Sequence, residues 1–273
     1  MITALPRIAI AMTDFDAAVR TFRDVFGLPV LDFSERTVPS LGAHVGMCQP
    51  TGGSNIELMA PSDPTKPLSQ ALQRFLDRRG DGLYALMLEA PDPDGEAIEL
   101  AARGLDVLPL MAGAGGRDVH PRSTAGVLIR VYPDGSVADP GPQPLGVPGL
   151  SGITRAIVAT ADATAAAMAY GHGFGLAVDP PATDDERGVQ VVRCRPPKGG
   201  VIELVSAVDR SRPFAAEIER FAKEQGGLYA LVLEADDPAA ATALLRVRGV
   251  PLSDGPVPAL TVFGTRFLLD RRR

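Results

Sequence analysis

Short apolar runs and stretches of helical period follow one another in a regular order along the chain. Ile8 to Met12 reads as an apolar strand; Thr13 and Asp14 offer helix N-caps, and Phe15, Val19, Phe22 and Phe26 fall at helical spacing before Gly27 ends the run. Val30 to Phe33, Ala43 to Cys48 and Asn55 to Ala60 are β-rich segments separated by Gly, Pro and Ser turns. Leu68 to Arg79 has the pattern of an amphipathic helix leading to the next unit. A second round then begins: a strand over Leu83 to Glu89, a helix over Asp94 to Arg103, and strands over Val107 to Leu110, Arg117 to His120 and Gly126 to Tyr132. Each round is a βαβββ unit, and the same succession returns from Ile153 to Leu269.

The return is literal in places. Gly82-Leu83-Tyr84-Ala85-Leu86-Met87-Leu88-Glu89-Ala90 reappears as Gly227-Leu228-Tyr229-Ala230-Leu231-Val232-Leu233-Glu234-Ala235. Ile56-Glu57-Leu58 reappears as Ile202-Glu203-Leu204, Arg74-Phe75 as Arg220-Phe221 and Phe26-Gly27-Leu28 as Phe174-Gly175-Leu176, all in one order. An internal duplication accounts for this. Between the copies, Pro133 to Leu150 carries five prolines and no apolar period, and reads as a linker. The expected organisation is a domain over 1–132, a Pro/Gly-rich linker over 133–150 and a domain over 151–273, in the α+β class, with two βαβββ modules in each domain.

Composition narrows the partners. With 273 residues, 45% of them hydrophobic, the chain can bury a sizeable core. No apolar run approaches the roughly 20 residues that span a bilayer, and no basic stretch leads into an apolar core at the start, so no membrane partner and a cytoplasmic location are expected. A formal charge of −6 argues against nucleic acid, which needs a basic face. Cys48 and Cys194 lack a second Cys or His at ligand spacing and read as buried thiols. Arg271, Arg272 and Arg273 read as a solvated basic end. Gly113, Gly115 and Gly116 do not follow a strand and open a helix, so they read as a turn and not as a phosphate cradle. No nucleophile elbow or Cys-His-Asn set is present.

Two groups of residues resemble a known family. Gly113 to Ile129, with His120-Pro121-Arg122-Ser123-Thr124 at its centre, is similar to the closing segment of methylmalonyl-CoA epimerases, and Ile56-Glu57-Leu58-Met59-Ala60-Pro61 is similar to their mid-chain strand. The wider group is the vicinal oxygen chelate superfamily, which includes glyoxalase I, bleomycin-resistance proteins and extradiol dioxygenases. The likeness covers nearly all of the first half; the second half lacks the His-Pro-Arg-Ser-Thr segment. It implies that paired βαβββ units form two cups, each built as a half-barrel of eight strands.

The family's chemistry rests on a divalent metal held by one side chain from the first and last strand of each paired unit. By the resemblance those positions fall on Arg7, Glu57, Ala85 and Arg130 in the first half, and on Arg155, Glu203, Ala230 and Leu269 in the second. Only the glutamates are donors; alanine and leucine have no lone pair to offer, and arginine cannot be deprotonated to offer one. No metal and no cofactor are therefore expected.

Two readings of the exchange stay open. Arg7 with Glu57, and Arg155 with Glu203, are buried ion pairs filling the vacated sites; or Arg7 and Arg130 bind a carboxylate or enolate, with Glu57 as base or orienting group. Tyr84, Tyr229, His120, Arg122, Ser123, Arg155 and Glu203 are candidate substrate contacts, each with a packing, ion-pair or loop-positioning alternative. The function that follows is a metal-independent isomerase, epimerase or lyase acting on an enolisable carbonyl, organic acid or thioester, or else a protein that sequesters a small aromatic or anionic molecule without chemistry. In a third arrangement one half binds and the other scaffolds. Four modules complete both cups within one chain, so a homodimer is compatible with the sequence but not required.

Overall fold

The computed structural model describes residues 1–34, 41–137 and 146–272. Residues 138–145 of the expected linker and Arg273 of the expected basic end lie outside the described residues. The first half runs β1 (Ala4–Ala11), α1 (Phe15–Arg20) with a π-helical turn over Thr21–Val25, β2 (Val30–Asp32), β3 (Ala43–Cys48), β4 (Asn55–Pro61), α2 (Pro67–Arg79), β5 (Gly82–Ala90), α3 (Pro93–Ala102), β6 (Arg117–Val119) and β7 (Leu128–Pro133). The second runs β8 (Arg155–Ala159), α4 (Ala163–Met168) with a π-helical turn over Ala169–Gly173, β9 (Ala177–Val178), β10 (Ala182–Asp184), β11 (Val189–Arg195), β12 (Val201–Ala207), α5 (Pro213–Glu224), β13 (Gly227–Ala235), α6 (Pro238–Val247), β14 (Leu260–Val262) and β15 (Thr265–Arg271).

Each half forms one mixed sheet, so the chain is α+β with βαβββ-type modules. The strand orders are β2-β3-β4-β1-β5-β7-β6 and β10-β11-β12-β8-β13-β15-β14, with β9 beside β11. In each, the first strands of the two modules meet antiparallel at the centre (β1 with β5, β8 with β13) and the last strand of each module lies parallel to its first. The first sheet has seven strands among the described residues, not eight: Val107 to Leu110 makes a single bridge, Val107 to Val119, and the equivalent segment of the second half makes only Leu252 to Leu260. Pro109 ends the run, since it has no N–H to extend a ladder.

The period-2 alternation of β1 divides the core. Ile8 and Ile10 enter the largest apolar cluster together with Leu86, Leu88, Ile129 and Val131 of the same sheet, and with Val158, Leu204, Leu231 and Leu233 of the other. The halves thus share one core. Ala9 and Ala11 face the opposite way, with Ala85 and Met87, and carry Leu68, Leu72 and Leu76 of α2. The alanines have no side chain beyond Cβ, which leaves room for the leucines of the helix. Leu68 to Arg79 is therefore more than a connection: α2 fills the face of the sheet that the resemblance implies to be an open cup. In the second half α5 does the same through Phe214, Ala215 and Ile218.

The halves join by a pseudo-twofold exchange of backbone contacts. Leu5 bridges Gly199, and Ile153 bridges Ser54, which follows the matching glycine, Gly53. Gly126 presses on Gly227, and Gly264, at the matching turn, presses on Asp81 and Gly82. A Cβ on Gly264 would lie 1.7 Å from the Asp81 carbonyl oxygen, and its φ is +62°. Gly104 has φ +87° and open space around it. Gly104→Ala therefore carries the backbone penalty alone, about 1 kcal/mol, whereas Gly264→Ala must also part the two halves, at a cost of about 3 kcal/mol or more. Denaturant unfolding of the two variants, compared with wild type, checks the difference.

Candidate functional site

The positions that the resemblance marks lie on the α2-covered face of the first sheet, and their side chains are engaged with one another. Arg7, 4% exposed, donates from Nε to Glu57 Oε2 at 3.1 Å and from Nη1 to Ser136 Oγ at 2.7 Å. Ser136 in turn donates to Glu89 from its hydroxyl at 2.6 Å and its backbone N–H at 2.8 Å. The register places Glu57 directly opposite Ala9, so Arg7 reaches it along a diagonal of the parallel pair. Arg130, 1% exposed, is held in a fork by Asp118, which sits directly across the β6–β7 ladder. Burial works against the Arg130 charge, and the Asp118 carboxylate and neighbouring Tyr132 more than offset it, so the guanidinium stays ionised. Gly116 lies against the Arg130 stem, where a Cβ would come within 2.8 Å of Cγ.

Arg7 and Arg130 are brought together, as the sequence suggested, but around a residue it did not mark. Their guanidinium carbons lie 4.4 and 6.0 Å from the centroid of the Tyr132 ring. Each already holds a carboxylate, Arg7 that of Glu57 and Arg130 that of Asp118. In the second half Glu203 accepts from Arg155 at 3.3 Å and from its cross-strand partner Arg193 at 2.8 Å, and Arg155 also pairs with Asp270. Tyr229 meets Arg266, whose guanidinium carbon is 4.6 Å from the ring centroid and which pairs with Glu217. Ala230 is buried and Leu269 pairs with Leu233 across the β13–β15 ladder. Among the described residues no three or more His, Cys, Asp or Glu side chains gather as metal ligands would.

Open volume lies beside this buried network. A cleft of about 860 Å³, within the range of small-molecule sites, runs between α2, the start of β5, the segment around Leu108 to Met111 and the approach to β7. Of the residues singled out from sequence, Tyr84 and His120 line it, and Asp118 reaches it from beneath while holding Arg130. Tyr84 stacks edge-on against Phe75. Burial pushes its hydroxyl up to about 12, with the Arg130 charge pulling the other way and Asp118 adding to the rise. His120 Nδ1 accepts from the Arg122 backbone N–H at 3.1 Å, so the neutral ring carries its proton on Nε2. Arg122 turns to Asp106, whose carboxyl it holds below the usual range, and Ser123 donates to the His120 carbonyl at 3.1 Å while accepting from the Asp106 N–H. Arg122 and Ser123 thus shape the loop that presents His120; neither lines the cleft.

The sequence reading missed the arginines of α2. Arg74, Arg78 and Arg79 line the cleft, and among the described residues none of them has a carboxylate partner. Arg78 donates to the Arg74 carbonyl, and Arg79 to the carbonyl of Gln225 at 2.9 Å. Burial and the neighbouring Arg78 charge both pull Arg79 below its ordinary value, as expected where positive charge is uncompensated. Other surface arginines are matched, Arg23 with Asp24, Arg117 with Asp94 and Arg195 with Asp179, although Arg20, Arg220 and Arg246 have no carboxylate partner among the described residues. The signal in the sequence was three arginines in six positions of one amphipathic helix, Arg74 to Arg79, which by itself also describes a solvated face.

Residues 7–120 match the model of the glyoxalase/bleomycin resistance protein/dioxygenase superfamily. No curated protein matches the sequence. Among solved structures, a triple mutant of 4-hydroxymandelate synthase from Streptomyces coelicolor covers 93% of this chain and 77% of its own at 16% identity, with a TM-score of 0.62. A xylose isomerase-like TIM barrel/4-hydroxyphenylpyruvate dioxygenase fusion protein covers 92% of this chain and 39% of its own at 15% identity, TM-score 0.59. Methylmalonyl-CoA epimerase from Streptomyces coelicolor, in complex with 2-nitronate-propionyl-CoA, covers 51% of this chain and all of its own (100%) at 24% identity, TM-score 0.42. The first two share the fold over nearly the whole of this chain. No helix among the described residues is long and apolar enough to cross a membrane.

Two outcomes follow from the buried groups. Arg130→Met leaves Asp118 stranded and costs about 3–5 kcal/mol, whereas Arg130→Met with Asp118→Leu recovers most of the loss, because an apolar pair of similar volume replaces the ion pair; denaturant unfolding of both variants measures it. Tyr84 has a folded value of about 12, above its unfolded value near 10. Its contribution is full below pH 10 and is lost as pH rises from about 10 to 12. Burial also raises Tyr170 and Tyr229. Ultraviolet titration at pH 11 therefore finds Tyr84, Tyr170 and Tyr229 still largely protonated, unless the chain has unfolded.

Proposed function

We propose, on the premise that residues 7–120 belong to the glyoxalase/bleomycin resistance protein/dioxygenase superfamily and that the whole chain carries its fold, that this protein binds a small organic anion in the cleft beside α2, without a metal. The observation that carries the reading is the set of three cleft arginines, Arg74, Arg78 and Arg79, with no carboxylate partner among the described residues, in a chain of net charge −6. The three side chains are exposed and solvated, so an anion entering this partly apolar cleft meets guanidinium groups without displacing a carboxylate of the protein. Guanidinium supplies the fork that carboxylate or phosphate accepts. Phe75, Leu108, Met111 and Leu228 give the ligand an apolar wall.

The family's divalent metal does not fit the residues at its positions. Arg7, Ala85 and Arg130 are not donors, and Glu57, which is one, is occupied by Arg7. The two ion pairs stand in for the metal as structural charge, and Arg7, Glu57 and Arg130 hold the sheet rather than the ligand. The domain limits we take are 1–132 and 151–273, joined through 133–150, in a cytoplasmic protein.

A second reading has one observation in its favour. His120 and Tyr84 both line the cleft, and with Nδ1 of His120 accepting from Arg122 the Nε2–H and the Tyr84 hydroxyl are two groups able to move or stabilise a proton on an enolisable acid. The isomerase or lyase of that reading works through His120 and Tyr84 and not through Glu57.

Calorimetric titration with octanoate tests the first reading. Wild type binds, affinity falls as salt rises, and Arg74→Ala with Arg78→Ala weakens it at least about tenfold. No binding by wild type, or equal binding by the variant, overturns it. Incubation of a 2-oxo acid in D2O separates the two readings: the binding protein exchanges no C3 proton above buffer, and exchange that His120→Gln or Tyr84→Phe abolishes establishes the enzyme.

A further inference from the structure

The cleft does not end within the first half. A second cavity of about 360 Å³ continues from it, and Phe75, Arg79, Leu83, Glu224, Gln225 and Leu228 line both. The joint between the two has an apolar side, Phe75, Leu83 and Leu228, and a polar one, Arg79, Glu224 and Gln225. Beyond it the walls come mainly from the second half, with Arg220 and Phe221 of α5 and Tyr229 of β13.

The two cavities differ in charge. In the first, Arg74, Arg78 and Arg79 face one unmatched carboxylate, that of Glu224, since Asp118 is taken by Arg130. In the second, Arg266 is taken by Glu217, and Arg79 and Arg220 are balanced by Asp81 and Glu224. Asp81 accepts from the Thr13 N–H at 3.0 Å and the Thr13 hydroxyl at 3.2 Å. Arg220 is without a carboxylate partner among the described residues, although Glu224 follows it one turn later on α5. A balanced cavity gives a second full charge no net attraction and still removes its water. It does offer a neutral polar group both a cationic donor and anionic acceptors, and hydrogen bonds to charged groups are the strong ones.

We infer that one ligand spans both cavities, with an anionic head at Arg74, Arg78 and Arg79, an apolar middle on Phe75 and Leu228, and an uncharged polar tail, a hydroxyl or amide, at Arg220 in the second half. This rests on the anion reading above. It makes the second half the selector of the tail, not a scaffold: α5 closes the far end, and the repeat of Arg74-Phe75 as Arg220-Phe221 supplies the group that reads it.

Calorimetric titration of the full chain with octanoate, 8-hydroxyoctanoate and octanedioate tests this. Wild type binds 8-hydroxyoctanoate about tenfold more tightly than octanoate, and octanedioate gains less than the hydroxy acid. Arg220→Ala, a change at an exposed position, removes most of the tenfold advantage and leaves octanoate affinity within about twofold, so retained octanoate binding certifies the variant's fold. Equal affinities of wild type for octanoate and 8-hydroxyoctanoate overturn the spanning ligand while leaving the anion site standing, and so does an advantage that survives Arg220→Ala. Failure of all three acids to bind wild type overturns the anion site itself, and the spanning ligand with it.

Discussion

A guanidinium cannot shed its charge inside a protein, so an arginine taken into the interior must bring a carboxylate with it. That requirement organises the first half of this chain. Arg130 at 1% exposure draws Asp118 across the β6–β7 ladder, and Arg7 at 4% draws Glu57 from β4, with Glu89 joined through Ser136. The strands that carry these groups are thereby pinned in register, and the groups themselves are largely buried on the sheet face that they occupy. Small residues on the same face, Ala9, Ala11 and Ala85, let α2 settle onto what remains. Once the helix is seated, its outer arginines border a large cleft beside it, and among the described residues none of the three is paired with a carboxylate, Glu224 alone facing them unmatched.

The duplication shows the same requirement met by different means. Both halves pair the first-strand arginine with the glutamate of the strand beside it, Arg7 with Glu57 and Arg155 with Glu203. The second pair of the first half lies across two strands, Arg130 and Asp118, whereas in the second half Arg266 of β15 reaches Glu217 on helix α5. Arg266 and Tyr229 are in stacking contact, as Arg7 and Tyr132 are. The halves have kept the fold and the charge rule while moving the residues that satisfy it.

The fold was largely legible because repetition and periodicity are local signals. Ala43–Cys48 begins and ends where its alternation does, and β1, β4 and β5 overrun their expected limits only by a few residues. Val107 to Leu110 was read as a strand from composition, and Pro109 with a single ladder bridge reduced it to an edge contact. The site was less legible. The pairings of Arg7 with Glu57 and of Arg155 with Glu203 were visible because both members sit at marked positions. Asp118 and Tyr132 were not, because their roles depend on which residue stands opposite on β6 and β7, and register across a long turn is not written in either segment. The α2 arginines were missed for another reason: whether a charge is matched depends on what the fold places near it.

The most direct test of the account is the crystal structure of the full chain grown with octanoate. The account predicts the ligand between α2 and the start of β5, its carboxylate on Arg74, Arg78 and Arg79 and its chain along Phe75 and Leu228, with the Arg7–Glu57 and Arg130–Asp118 pairs undisturbed. A ligand carboxylate between Arg7 and Arg130, with Asp118 or Glu57 displaced, would contradict it.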